Sequence, residues 1–113
     1  MKNVIITGTS SGIGLELVKI FSKEGFKVIS LSRSDLSLKP SNGVRHLNFD
    51  ITDEKSVDNL IHIIKNEYGN IDILINNAGK LINKPFENIS RDDLYSVFDV
   101  NVFGVFNLIQ KLL

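Results

Sequence analysis

The chain has no cysteine, which excludes a disulfide framework, a cysteine-based metal site and a cysteine nucleophile. Histidine is scarce too: His46 and His62 are the two present, neither has a partner at metal-ligand spacing, and no metal site is expected. Neither sign of charge is in excess, because 13 basic side chains balance 13 acidic ones. A net charge of zero gives no electrostatic footprint for nucleic acid or for an anionic membrane surface. No apolar run approaches the ~18 residues of a membrane span. The chain enters VIITG without the basic start and cleavage pattern of a signal peptide, so a soluble, cytoplasmic setting is expected. No repeat, low-complexity tract or linker interrupts the 113 residues, and one domain over residues 1–113 is the simplest division.

What is present is a strict alternation. Val4 to Ile6 is a short apolar run closed by Thr7-Gly8, as expected for a strand covered on both faces. Val28 to Leu31, Val44 to Phe49 and Ile71 to Ile75 read as three more strands. Between the first two, Ile13, Leu17, Ile20 and Phe21 recur at helical spacing up to Gly25, a helix-terminating glycine. Between the third and fourth, Thr52 is the expected cap of a helix whose stripe is Val57, Leu60, Ile61, Ile64 and Tyr68, with Gly69 as its stop. A last helix starts after Ser90, with Asp93 as its capping-box partner. Ser34 to Gly43, carrying Pro40 and Asn42, reads as the loop joining strands two and three. This order predicts an α/β fold: a doubly wound parallel sheet with right-handed crossovers and four strands in the order 3-2-1-4.

TGTSSGIG, Thr7 to Gly14, fills the first strand-to-helix turn. Glycines there let the backbone bend, approach a ligand closely and pack the helix on the sheet, while the exposed N–H groups of the helix start attract phosphate. A tight turn without a ligand is the plainer alternative; strand, turn and helix in this order favour the anion site. The spacing Gly8, Gly12, Gly14 differs from G-x-G-x-x-G. No lysine follows the glycines, which disfavours a P-loop ATP binder.

That glycine spacing, NFDITD after the third strand and NNAG after the fourth, resembles the short-chain dehydrogenase/reductase family, with the motifs in the family's order over the whole chain. The resemblance implies a Rossmann-type sheet and an oxidoreductase that transfers hydride between a nicotinamide cofactor and a carbonyl or alcohol. It implies that Gly8, Ser10, Ser11, Gly12, Ile13 and Gly14 hold the cofactor pyrophosphate. It also implies that Asp50 bonds the adenine with help from the Ile51 amide, and that Asn77, Ala78 and Gly79 line the ribose and nicotinamide side. Taken alone, Asp50 reads as a loop or capping carboxylate and NNAG as a turn; their joint place at carboxyl ends of parallel strands favours a ligand site. The second strand ends SLSRS. A free ribose 2′-OH usually meets a carboxylate, and a 2′-phosphate calls for a bidentate cation. Ser32 followed by Arg33 is similar to members favouring NADP(H), so NADP is the expected cofactor and Arg33 its clamp. Asp35 leaves NAD possible, and a solvent-facing Arg33 is the alternative.

The last helix is apolar nearly all round yet carries Asn101 and Gly104 inside it. An interior glycine costs ~1 kcal/mol relative to alanine, which points to close packing, a kink or a polar task. VNVFG is similar to the family's Asn-bearing helix, in which the Asn helps hold a water linked to the catalytic lysine. Asn101 is therefore the expected catalytic position, with a satisfied structural Asn as the alternative. The family continues with a strand bearing a catalytic Ser and a helix bearing Tyr-x-x-x-Lys. Here Tyr68 is followed four positions later by Asp72 and Tyr95 by Asp99. The sequence thus reads as the amino-terminal, cofactor-binding part of a longer enzyme. This chain alone is expected to be inactive, and the small-molecule carbonyl or alcohol substrate belongs to the full-length parent. The uncapped apolar end at Leu112-Leu113 and an open edge on strand four lead us to expect a homo-oligomer. A non-catalytic nucleotide-binding or interaction module is the competing reading.

Overall fold

The computed structural model describes residues 1–38 and 43–113; Pro40 and Asn42 of the expected loop lie outside the described residues. The central strand is β1 (Asn3–Thr7). β2 (Lys27–Ser32) and β4 (Ile73–Ile75) pair with its two sides and β3 (Val44–Asn48) pairs with β2, all parallel, in the order β3-β2-β1-β4 that the sequence predicts. Parallel neighbours need crossovers. The helices α1 (Gly12–Lys23) and α2 (Glu54–Ile63) are the crossover helices, one on each face of the sheet. Strand side chains alternate between faces. Val4 and Ile6 meet Val18 and Val28 under α1, while Ile5 packs with Ile29, Leu31, Val57, Leu60 and Leu108 on the other face. Each of these residues is at most 1% exposed. Burying one such side chain stabilises the fold by ~1.5–3 kcal/mol, so a β1 apolar at every central position follows from having two covers.

The inward face of α1 is rotated from the predicted one. Gly14 and Val18 are buried, Leu17 and Phe21 pack beside them, and Ile13 and Ile20 are 72% and 54% exposed. Positions 14, 17, 18 and 21 form the helical stripe, and it begins on a residue with no side chain to reveal it. At the other end Gly25 has φ +88°, and the Phe26 N–H reaches back 3.1 Å to the Phe21 carbonyl. This is a left-handed glycine stop.

Several boundaries differ from expectation. Asp53, not Thr52, caps α2: its carboxylate accepts from the Lys55 N–H at 3.3 Å, because the Thr52 hydroxyl and N–H both bond Asp50, at 2.7 and 2.9 Å. β3 stops at Asn48 and β4 starts at Ile73; Phe49 and Ile71 still pack in the core but lie outside the strand ladders. A π-helical turn over Ile64–Tyr68 extends α2 to Gly69. The predicted last helix is α3 (Arg91–Phe98), a π-helical stretch over Asp99–Gly104, and α4 (Val105–Leu112). Among the described residues no helix is long and apolar enough to cross a membrane.

Ser90 and Asp93 form the expected capping box, each side chain bonding the other's N–H at 3.0 Å. Lys84 lies 2.8 Å from the same carboxylate and, with the Ser90 N–H, holds the Asp93 pKa down to about 2 from the ordinary 3.8. A depressed acid stabilises the fold fully above its unfolded pKa, and that contribution fades as pH falls through the folded one. Asp93→Asn should therefore lower the melting temperature at neutral pH, and the gap to the parent should close as pH falls from 3.8 toward about 2. A gap that stays constant on acidification would contradict this.

Candidate functional site

Parallel strands place their carboxyl ends on one side of the sheet, and the turns that leave them converge there. Thr7, the last residue of β1, ties two of these turns together. Its hydroxyl accepts N–H bonds from Asn77 at 3.1 Å and Ala78 at 2.9 Å, and the Asn77 side-chain amide donates to the Gly8 carbonyl at 3.0 Å. Gly8 has φ +72°, and a Cβ there would lie 2.8 Å from the Ala78 Cα. A Cβ on Gly14 would lie 2.0 Å from the Gly8 carbonyl oxygen. Both glycines are therefore required by contact between backbones. Gly12 is different: it has φ +60°, and nothing lies within 4 Å of the place its Cβ would take.

The start of α1 is open. Ser11 stands at its cap position but makes no side-chain cap bond, whereas Asp53 and Ser90 cap α2 and α3. Ser10, Ser11, Gly12 and Ile13 are exposed beside these first-turn N–H groups. Unpartnered helix-start amides carrying the positive end of the helix dipole suit an anion.

Next to this turn lies a cavity of about 450 Å³, in the range of small-molecule sites. Of the predicted residues, Gly8, Ser10, Ser32, Arg33, Asp50, Ile51, Ala78 and Gly79 line it. Ser11, Gly12 and Ile13 form the exposed helix start outside that lining, Gly14 is buried beneath Gly8, and Asn77 is a strut between turns. Asp50 accepts both the Thr52 hydroxyl and N–H on Oδ1. These two bonds, aided by the Arg33 charge and opposed by burial, hold its carboxyl below the usual range. It is ionised at neutral pH. The Arg33 side chain is exposed and makes no ion pair with any described residue, whereas Asp35 accepts a bond from the Asn48 amide at 3.0 Å and does not line the cavity.

Asn101 lies outside this cavity. Both ends of its side chain hold the Lys80 backbone, Oδ1 accepting the Lys80 N–H at 2.8 Å and Nδ2 donating to the Lys80 carbonyl at 2.9 Å. It sits in the π-helical stretch that ends at Gly104, where a Cβ would come within 3.0 Å of Ile51. The interior glycine thus lets the helix pass close over the cavity wall. No motif in the sequence assigns a role to Lys80 or Phe49, which also line the cavity. Thr7 stood in the quoted motif, but its hydroxyl bridge depends on a segment 70 residues away.

A family model described as short chain dehydrogenase matches residues 2–113. An uncharacterized oxidoreductase of Schizosaccharomyces pombe is 36% identical over 111 residues, covering 97% of this chain and 38% of that protein. Among solved structures, a short chain dehydrogenase from Leptospira borgpetersenii with bound NAD+ superposes with TM-score 0.93 at 35% identity, covering 98% of this chain and 44% of that one. A 4-hydroxyisoleucine dehydrogenase complexed with NADH gives TM-score 0.90 at 30% identity, covering 99% and 48%. The chain spans about half the length of the curated relatives it matches, from 38% to 51%.

The glycine geometry separates two substitutions. Gly14→Ala drives a methyl into the Gly8 carbonyl, a backbone group that cannot turn aside, and should destabilise by ~3 kcal/mol or more. Gly12→Ala meets open space and should cost only left-handed strain, ~1–2 kcal/mol. Urea unfolding of both variants checks the order; equal losses would contradict the packing role of Gly14.

Proposed function

The chain belongs to the short chain dehydrogenase family, and from that premise we propose that residues 1–113 are the dinucleotide-holding part of an oxidoreductase acting on a small carbonyl or alcohol, with NADP(H) as cofactor. The observation that carries this is the uncapped α1 start with open space at Gly12, adjoining a cavity that Arg33 and an ionised Asp50 also line. These residues fit the group. The amides of the Gly8–Gly14 turn suit a pyrophosphate, Asp50 and the Ile51 amide an adenine, and Asn77, Ala78 and Gly79 the nicotinamide-side ribose. When bound, the nicotinamide supplies the hydride or takes it up.

The preference for a 2′-phosphate rests on Arg33, a cation on the cavity wall with no ion pair among the described residues, where Ser32 supplies no carboxylate. NAD is the second reading, favoured by the NAD+ and NADH in the two similar structures. Asp35, the carboxylate that would serve it, is held by Asn48. For Asn101 we propose a positioning part: it fixes the backbone just after Gly79. The sequence has no Tyr with a Lys four places on, so the proton donor for carbonyl reduction lies outside these residues, and they bind cofactor without turnover.

In titration calorimetry NADPH should bind more tightly than NADH. Arg33→Ala should weaken NADPH roughly tenfold or more, the ~1.5–3 kcal/mol of a charged contact, and leave NADH little changed. Equal losses would refute the clamp, and carbonyl reduction by the same preparation would refute the half-enzyme reading. We assign the homo-oligomer contact to the outer surface of the run from α3 through the π-helical stretch into α4, where Tyr95, Phe98, Phe103 and Phe106 are each 50% exposed or more. Sedimentation should show mass rising with concentration; a monomer throughout would remove that assignment.

A further inference from the structure

A polar chain runs through the apolar layer between the sheet and α1. Ser30 of β2 is 0% exposed and pairs in register with His46 of β3; Thr9, just past Gly8, is also 0% exposed. The Ser30 hydroxyl lies 2.7 Å from the Thr9 hydroxyl and 2.9 Å from His46 Nδ1. On its far side His46 Nε2 lies 2.9 Å from the Ser34 carbonyl oxygen, which also accepts the Ser32 hydroxyl at 2.6 Å. A carbonyl only accepts, so Nε2 carries hydrogen, and Nδ1 faces the Ser30 hydroxyl.

This ring does more than satisfy a buried serine. Nδ1 alone would do that, and two apolar residues at 30 and 46 would pack the same layer with no polar group to satisfy. Nε2 instead reaches out of the sheet to the turn that carries Arg33. Arg33 stands between Ser32, whose carbonyl accepts the Phe49 N–H at 2.7 Å, and Ser34, whose carbonyl has both acceptor sites filled. The backbone on either side of the cation is held, and His46 supplies one of the holds.

We propose that His46 is a positioning residue for recognition of the 2′-phosphate of a dinucleotide: through the Ser34 carbonyl it sets the backbone from which Arg33 reaches the cavity. The inference rests on the NADP(H) reading above. It makes selectivity between the two cofactors depend on a β3 side chain that does not line the cavity.

The two ring nitrogens can be tested apart. A glutamine amide reaches about as far as Nε2 and an asparagine amide about as far as Nδ1, so His46→Gln keeps the hold on Ser34 and His46→Asn keeps only the one on Ser30. In calorimetric titrations with NADPH and NADH, His46→Asn and His46→Leu should each reduce the ratio of NADPH to NADH affinity roughly three- to tenfold, the worth of one hydrogen bond. His46→Gln should keep the ratio within roughly twofold of the parent, about a third of that bond's upper effect in free energy. Melting temperatures recorded alongside separate general destabilisation, which weakens both cofactors together. Equal ratios for Gln and Asn, or an unchanged ratio in both Asn and Leu, would overturn the proposal. Arg33→Ala in the same series separates the two failures. If it spares NADPH, the NADP(H) reading itself falls; if it removes the preference while the His46 variants keep it, only the positioning role falls.

Discussion

The site depends on one contact between backbones: the Gly8 carbonyl under Gly14, with Ala78 against the other side of Gly8. It fixes how near α1 comes to β1 and how near the turn after β4 comes to the turn after β1. The Thr7 hydroxyl then locks the arrangement by accepting two amides from the Asn77–Ala78 peptides. Because the helix start is held by its neighbours' backbones and not by a cap of its own, its amides stay available to a ligand. Side chains that would have filled the space are absent, so the opening belongs to the covalent structure of the chain and needs no rearrangement to form.

Around that anchor the cavity has two kinds of wall. Asp50 is kept ionised by the paired donors of Thr52, and the same bonds explain why Thr52 is lost as a helix cap and Asp53 takes its place. Arg33 lines the same cavity with its charge in no ion pair with any described carboxylate. The overhead wall is the last helix, brought close to Ile51 at Gly104. A π-helical stretch there has one extra residue in the turn, and Asn101 within it reaches sideways to the Lys80 backbone.

Much of this was legible in the residues. The apolar runs gave the strand order, the glycines gave the turn, and Ser90 with Asp93 gave a capping box that forms as drawn. Sequence patterns failed where a residue's partner is remote in the chain or where the informative atom is missing. Gly14 has no side chain, so periodicity alone puts the inward stripe of α1 one position off and assigns Ile13 and Ile20 to a core they do not enter. Thr52 fails as the cap on α2 because Asp50 competes for the same threonine. π-helical turns leave no periodicity in so few residues. Nothing in the sequence around His46 announces Ser30 across the ladder or Ser34 beyond it.

The parallel order has a consequence for how the chain comes together in time. β1 can pair with β2 once α1 has formed, but its other edge waits for β4, and the Thr7 hydroxyl meets its partners across a separation of 70 residues. Closing so long a loop carries an entropy cost before any contact repays it, and such non-local pairings are formed slowly. On a chain growing from its amino end, Val4 to Ile6 therefore remain an unpaired edge until Ile73 to Ile75 have been made. The ligand cradle requires that last strand pairing, so it cannot exist before residues 73–78 have been made.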